Sequence, residues 1–469
     1  MSIARRIVAN TAIQAAGKAV VLLIGAGSVA ITTRYLGTDG YGKLTFALGF
    51  VQMLGILADA GLSTYVIREI SREPERTATL VRNALALRLL LGVTVVGLAA
   101  LLGLVLPYDG QVRVAILIAG APFVFGLVTH SLSAIFQARL KMRPVVIADV
   151  IGRLAGFGAL VAVVVADAGF YLTVVAAGVT AAVAMLLTMW FARHEVPLRP
   201  AADRAVWRTM ALGAVPLGAM LVVNEIYFRA DTLILSLSRP FGEVGLYTLS
   251  YRLFELLSLL PAIVMSSVFP LLSRHLADRR ELAGRIVDAT ADVYLAVFVP
   301  LALGGLFLGD DIVRLAGGDD FAAAATPFRL LLFAVGLAAL NGLLGYTLIA
   351  AGQQRSLLWL SAAALGFNVV LNAALTTTLG VDAAAAIALG SELLILCGGW
   401  TLMRRHLHMT PRPRVLRQVA GAAAAMVVVL ELLKDQPMGV LLPAGIAVYA
   451  GALLVQGGVT WPTLEDDAA

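Results

Sequence analysis

Cysteine is almost missing from this chain. Cys397 stands alone inside an apolar stretch, which excludes an internal disulfide and any Cys-x-x-Cys metal site. Histidine is scarce, and none of the five is spaced with carboxylates as a metal ligand would be. His406 and His408 fall in a basic stretch without a His-Glu-x-x-His context, so interfacial charge suits them better than metal binding. Charge is thin: 14% of residues are Asp, Glu, Lys or Arg, against about 25% in ordinary globular domains. Hydrophobic residues make up 60%, and mean hydropathy is +0.91. A soluble core of that composition would have no polar surface to cover it. The net charge of +6 is spread over short loops, with no basic patch interleaved with aromatics, which excludes a nucleic-acid partner.

What fills the chain instead is a series of fourteen apolar stretches. They lie near 10–33, 44–67, 83–106, 113–137, 145–166, 170–192, 209–237, 246–270, 289–309, 325–351, 357–379, 382–403, 414–433 and 438–456. Each approaches the roughly 20 residues one spanning helix needs. Strands with open edges leave backbone groups unsatisfied in lipid, so every stretch is read as a helix. The fold class expected is an all-α polytopic membrane protein. Arg5 and Arg6 precede the first run, but that run passes Ile31 without a small-x-small cleavage site, so a retained span is expected rather than a signal peptide.

Basic residues set the orientation. With the N-terminus inside, the inner loops hold Arg68, Arg72, Arg76 and Arg82, then Arg139, Lys141 and Arg143. Arg193, Arg199, Arg204 and Arg208 follow, then Arg274, Arg279, Arg280 and Arg285, then Arg355. Arg404, Arg405, Arg412, Arg414 and Arg417 complete the set. The outer turn at 310–320 carries four aspartates and a single arginine, Arg314. This asymmetry predicts both termini in the cytoplasm, with the acidic stretch Glu465 to Asp467 inside. Inner segments at 71–82 and 274–288 carry alternating apolar and charged residues, and are expected as short helices at headgroup level or as solvated loop helices. The halves also resemble each other. Gly40-Tyr41-Gly42-Lys43-Leu44-Thr45-Phe46 after span 1 parallels Gly245-Leu246-Tyr247-Thr248-Leu249-Ser250-Tyr251 after span 7. Both follow odd-numbered spans, so the copies run in the same direction, a plan known from transporters with a site between parallel repeats.

Several cations sit inside spans rather than between them, where a positive charge costs about 2.5–3.5 kcal/mol on insertion scales. Lys18, Arg88, Arg229, Arg252 and Arg329 are the candidate binding residues for an anion such as a diphosphate, whose oxygens pair well with guanidinium groups. Each also admits a structural reading. Arg252 has Glu255 at i+3, and Arg229 has Glu225 at i−4. Lys18 and Arg329 have no acid nearby in the sequence. Arg153, with Asp149 at i−4, is read as structural, and Lys43 and Arg88 lie near span ends from which they can snorkel. Asn368 and Asn372 share one helix face, which suits a cation site or a helix–helix hydrogen bond equally. Gly25-x-Gly27-Ser28 follows no strand and lacks a lysine, so helix packing is expected there, not a phosphate loop.

Ala58-Asp59-Ala60-Gly61-Leu62-Ser63-Thr64, followed by Ile67-Arg68-Glu69-Ile70-Ser71-Arg72, resembles the second span and following loop of polysaccharide-biosynthesis membrane proteins. These are lipid-linked oligosaccharide flippases of the multidrug/oligosaccharidyl-lipid/polysaccharide exporter superfamily. Arg34-Tyr35-Leu36-Gly37-Thr38-Asp39-Gly40-Tyr41-Gly42 is similar to the family's preceding turn, and Tyr251-Arg252-Leu253-Phe254-Glu255-Leu256 with Pro261 to its eighth span. The resemblance implies two parallel six-helix lobes around a central cavity, plus two further helices. Here these are 1–208 (spans 1–6), 209–408 (spans 7–12), and 409–469 with spans 13–14 and a short cytoplasmic tail. It implies transport of a polyprenyl-diphosphate-linked sugar by alternating access, with Arg252 at the position of a cavity arginine in the lipid II branch. A sodium site of that branch maps to Asp231, Asn368 and Asn372. The family pair is asparagine plus aspartate where this chain has two asparagines, and the span-12 hydroxyl is missing from the alanine-rich Ala384 to Ala388.

The function expected is a flippase of the cytoplasmic (inner) membrane, feeding cell-surface polysaccharide assembly. No catalytic residue, metal or resident cofactor is expected, and Na+ or H+ is the candidate coupling ion. The partners are the lipid-linked oligosaccharide, membrane lipids, and glycosyltransferases or a polymerase acting beside it, with the protein itself a monomer. A multidrug or small-solute cation antiporter of the same superfamily is the alternative, but it would need buried acids in excess of buried bases. A membrane glycosyltransferase or polymerase would need a substantial loop with catalytic carboxylates. The longest outer candidate, Gly309 to Thr326, is too short and holds no acid–base pair.

Overall fold

A computed structural model describes residues 3–276, 278–409, 411 and 414–457. The stretch Glu465 to Asp467, Arg412 and the side chains of Arg5 and Arg6 lie outside what is described. Among the described residues all regular structure is helical. The chain forms two compact units, 1–245 and 246–469.

The first unit holds α1 (Ile3–Asp59), α2 (Leu62–Arg72), α3 (Thr77–Val105), α4 (Gly110–Ala138), α5 (Arg143–Val165), α6 (Gly169–Ala192) and α7 (Arg204–Ser238). A straight helix of 57 residues would reach roughly 85 Å, far beyond the ~30 Å of a hydrocarbon layer. Gly37 divides it: φ 64° and ψ −174° are accessible to glycine and interrupt the helix between the first two expected spans. The second span then ends at Asp59, where Ala60 and Gly61 take positive φ. The amphipathic helix expected at 71–82 therefore lies earlier, as α2. It buries Leu62, Tyr65, Val66 and Ile70 and turns Arg68 and Arg72 outward. Pro74 closes this segment, and Thr77 already begins α3. α5 and α6 approach closely through small residues, since a Cβ on Gly156 would lie 1.9 Å from Thr180 Oγ1. α7 packs on α1, α2 and α3.

The second unit contains most of α8 (Phe241–Leu257), then α9 (Leu259–His275), α10 (Arg280–Gly317), α11 (Ala325–Ala350), α12 (Gln354–Leu407), α13 (Leu416–Leu432) and α14 (Met438–Val455). The expected eighth span is broken at Ser258 into α8 and α9. The inner surface helix expected at 274–288 is not separate. Residues 280–288 are the first turns of α10, which no proline interrupts before Pro300, and Leu282, Ile286 and Val287 are buried. The acidic stretch at 310–320 is likewise the end of α10 and a short 3-10 turn rather than an open loop. Gly380, φ 71°, divides α12 as Gly37 divides α1.

Ten stretches among the described residues are long and apolar enough to cross a membrane. Counting both segments of α1 and of α12, and adding α7 and α13, gives helices at all fourteen expected positions. α13 has no side-chain cap of its own. Asp292 on α10 instead holds the chain just before it: its Oδ1 accepts from the N–H groups of Arg414 (2.8 Å) and Val415 (3.3 Å). Tyr449 on α14 donates its hydroxyl to the Ala296 carbonyl at 2.9 Å, so both terminal helices are tied to α10.

Candidate functional site

The cations expected inside spans meet different environments. In the first unit, Arg88 on α3 is 1% exposed and does not snorkel. Its guanidinium pairs with Asp59 and Ser63 at the α1–α2 break and donates to Ser131 Oγ on α4 at 3.0 Å. Ser63 in turn donates to Asp59 at 2.8 Å. The Asp59–Ser63 motif thus clasps an arginine from another helix. Arg229 on α7 pairs with Glu225 at 2.7 Å, as its spacing predicts, and also reaches Gln52 on α1 at 3.4 Å. Lys18 is exposed on the first segment of α1. Lys43 bridges Asp39 and Asp109, each at 2.9 Å, and donates to Gln111 at 3.0 Å. Burial works against the Asp109 charge, but the Val112 N–H and the Lys43 ammonium hold its carboxyl below the usual range. Arg153 pairs with Asp149 at 3.3 Å. Gly27 lies 3.3 Å from the Phe157 ring by its Cβ position, as helix packing requires.

In the second unit, Arg329 on α11 gains an acid the local sequence did not offer: Asp310, at the far end of α10. Arg252 on α8 is different. Its pair with Glu255, 2.8 Å, leaves the arginine side chain 48% and the glutamate 38% exposed. Such an exposed charge in a span is costly against lipid, and a water-filled surface removes that cost.

Asp231 is buried in the first unit, and its Oδ1 accepts from the Thr232 N–H at 2.7 Å. Asn368 and Asn372, in the second, belong to a buried ladder along α12. Asn372 donates to Asn368 O (3.0 Å) and Oδ1 (3.2 Å), and Thr376 donates to Asn372 O at 2.6 Å. Asn368 reaches Ser391 Oγ, on the second segment of α12, at 3.4 Å. A hydroxyl is therefore present on span 12 after all, just beyond the alanine run. Next to it, Glu392 is buried and accepts from Asn341 Nδ2 of α11 at 2.7 Å. Neither Ser391 nor Glu392 was singled out from the sequence, although Glu392 is the lone acid at the centre of the expected span 382–403.

Beside α8 lies an apolar groove of about 500 Å³. It is lined by Leu253, Leu256 and Leu257 of α8, Pro300 and Gly304 of α10, and Ile446 and Tyr449 of α14, among others. Arg252 precedes Leu253 in the sequence.

Two units of long apolar helices with divided spans and mid-span charges define a polytopic transporter fold. The polysaccharide biosynthesis protein family model matches residues 7–276, and the chain belongs to that family. It is 26% identical over 234 residues to the "probable flippase AglR" of Haloferax volcanii, a match covering 48% of each chain, so it spans about half the length of that curated relative. The fold is similar to that of the lipid II flippase MurJ in its inward closed conformation, with TM-score 0.78 and 12% identity over 94% of this chain and 98% of that one. It is also similar to an inward-facing multidrug resistance MATE family transporter of the MOP superfamily, with TM-score 0.63 and 13% identity over 83% and 94% of the chains. A MOP superfamily transporter from Pyrococcus furiosus aligns with TM-score 0.58 and 15% identity over 86% and 95%. The relatives are transporters and flippases, not enzymes.

Proposed function

We propose that the protein moves a polyprenyl-diphosphate-linked oligosaccharide across the cytoplasmic membrane by alternating access, for cell-surface polysaccharide assembly. The observation that carries this reading is the apolar groove lined by Leu253, Leu256 and Leu257 of α8, the helix that also carries the exposed Arg252. A prenyl chain needs a long apolar channel, and its diphosphate needs a guanidinium that is wet and only weakly held by its own partner. The polysaccharide biosynthesis family and the flippase relative support a flippase working in that setting. In the second unit Arg329 is a further cation for the anionic headgroup, and Lys18 and Arg229 are the candidates of the first unit taken by itself. Glycosyltransferases or a polymerase act before and after transport, and the protein works as a monomer.

The test is transport of a lipid-linked sugar in proteoliposomes. Gly304 lines the groove and has open space where a Cβ would stand. Gly304→Phe is expected to fill the groove without a backbone clash, lowering transport of the long-chain substrate far more than that of a short-chain analogue. Equal loss for both would remove the groove from the substrate path, and uptake of cationic dyes in place of lipid-linked sugar would favour the antiporter. Imposed sodium and proton gradients, applied to the wild type and Asp231→Asn, test coupling through Asp231. Equal, gradient-independent transport in both would exclude it.

Both termini are proposed to be cytoplasmic. On a Cys397-free background, Asp319→Cys is expected to label from outside the cell, and labelling only from the cytoplasm would reverse the orientation.

A further inference from the structure

We infer that Glu392 and Asn341 form a proton-binding site within the second unit. Glu392 lies near the middle of the second segment of α12, between Gly380 and Leu407, and it is buried. An acid at that depth is costly while charged and far less so when neutral. Asn341 Nδ2 donates both to the Glu392 carboxylate at 2.7 Å and to its backbone carbonyl at 2.9 Å, which fixes the amide against the acid. Asn341 Oδ1 is buried and accepts no hydrogen bond among the described residues. A carboxylic acid and a primary amide pair through two hydrogen bonds, N–H to carboxyl oxygen and O–H to amide oxygen. The first is made here, and the amide oxygen is left for the second.

Protonation would supply it. Hydronium from one compartment gives its proton to the carboxylate and becomes water, the acid O–H gains the Asn341 Oδ1 acceptor, and release to the other compartment reverses the step. On α11, the element packed against α12, the ionisable side chains are Arg329 and Tyr346. On α12 the nearest in sequence are Asp382 and Cys397, with Arg355 and the group Arg404, Arg405 and His406 toward its ends. Ser391, the adjacent residue, links this acid to the Asn368–Asn372–Thr376 ladder, so a change of charge at Glu392 is next to the contact between the two segments of α12.

The coupling role of this site rests on the transport reading, but the site itself does not, and the experiment separates them. Infrared difference spectra between acidic and alkaline pH are recorded on full-length protein in proteoliposomes. A protonated-carboxyl band is expected in the wild type, absent from Glu392→Gln and shifted in Asn341→Leu. Glu392→Asp, which stays titratable, is expected to keep a displaced band, and serves if the glutamine variant does not fold. A band unchanged in Glu392→Gln, or one displaced by sodium at fixed pH, would overturn a proton site. In the transport assay Glu392→Gln is expected to lose proton-gradient dependence while still binding substrate. If wild-type protein moves no lipid-linked sugar, the flippase reading fails and the infrared titration still decides the site.

Discussion

Asp59→Ala is expected to destabilise the first unit by about 3–5 kcal/mol, the cost of leaving a buried charge without its partner. Arg88 has almost no contact with solvent, and Asp59 is the acid it pairs with. Ser63 and Ser131 supply neutral oxygens, but they cannot replace the lost charge. Asp59→Asn retains the shape and part of the hydrogen bonding, so a smaller loss is expected. The double replacement Asp59→Asn with Arg88→Met removes both charges and is expected to be milder than Asp59→Ala alone. Thermal unfolding in detergent, followed by tryptophan fluorescence or by aggregation, measures the order of the three. A melting temperature for Asp59→Ala equal to wild type would mean that the clasp does not support the fold.

Arg252→Ala is expected to behave in the opposite way. Its pair with Glu255 is exposed on both sides, so it contributes about 0.2–1 kcal/mol at most, and unfolding should barely change. Transport should fall roughly 10- to 100-fold, corresponding to about 1.5–3 kcal/mol for hydrogen bonds to a charged group. Arg252→Lys keeps the charge but loses the planar fork, and partial recovery is expected. Initial rates of lipid-linked sugar transport, normalised to reconstituted protein, provide the measurement. If the alanine variant transports normally, or fails only because it unfolds, Arg252 does not meet the headgroup. The two arginines share a side chain and a helical setting, and only the packing around each separates the outcomes expected of them.

Much of this was written in the chain. Apolar runs of spanning length have one solution in lipid, the helix, so the fourteen positions and the all-α class follow from composition and spacing. Pairs within one helix were equally legible. Arg229–Glu225, Arg252–Glu255 and Arg153–Asp149 all lie three or four residues apart, where helical periodicity places neighbours on one face. The helix limits were less so: α2 begins where Ala60 and Gly61 take positive φ, and α10 runs unbroken through a stretch whose charge pattern suggested a separate helix.

The partners across helices were decided by tertiary structure alone. Arg88 with Asp59, Arg329 with Asp310, Asn341 with Glu392, and Asp292 with the chain just before α13 each join separate elements. Helical periodicity states which residues share a face but not which face meets which. In an apolar chain nearly every face is hydrophobic, so the pattern that orients helices in soluble proteins carries little information here. The few polar groups then choose their neighbours through packing, which settles whether a buried charge holds the fold or stands ready for a ligand.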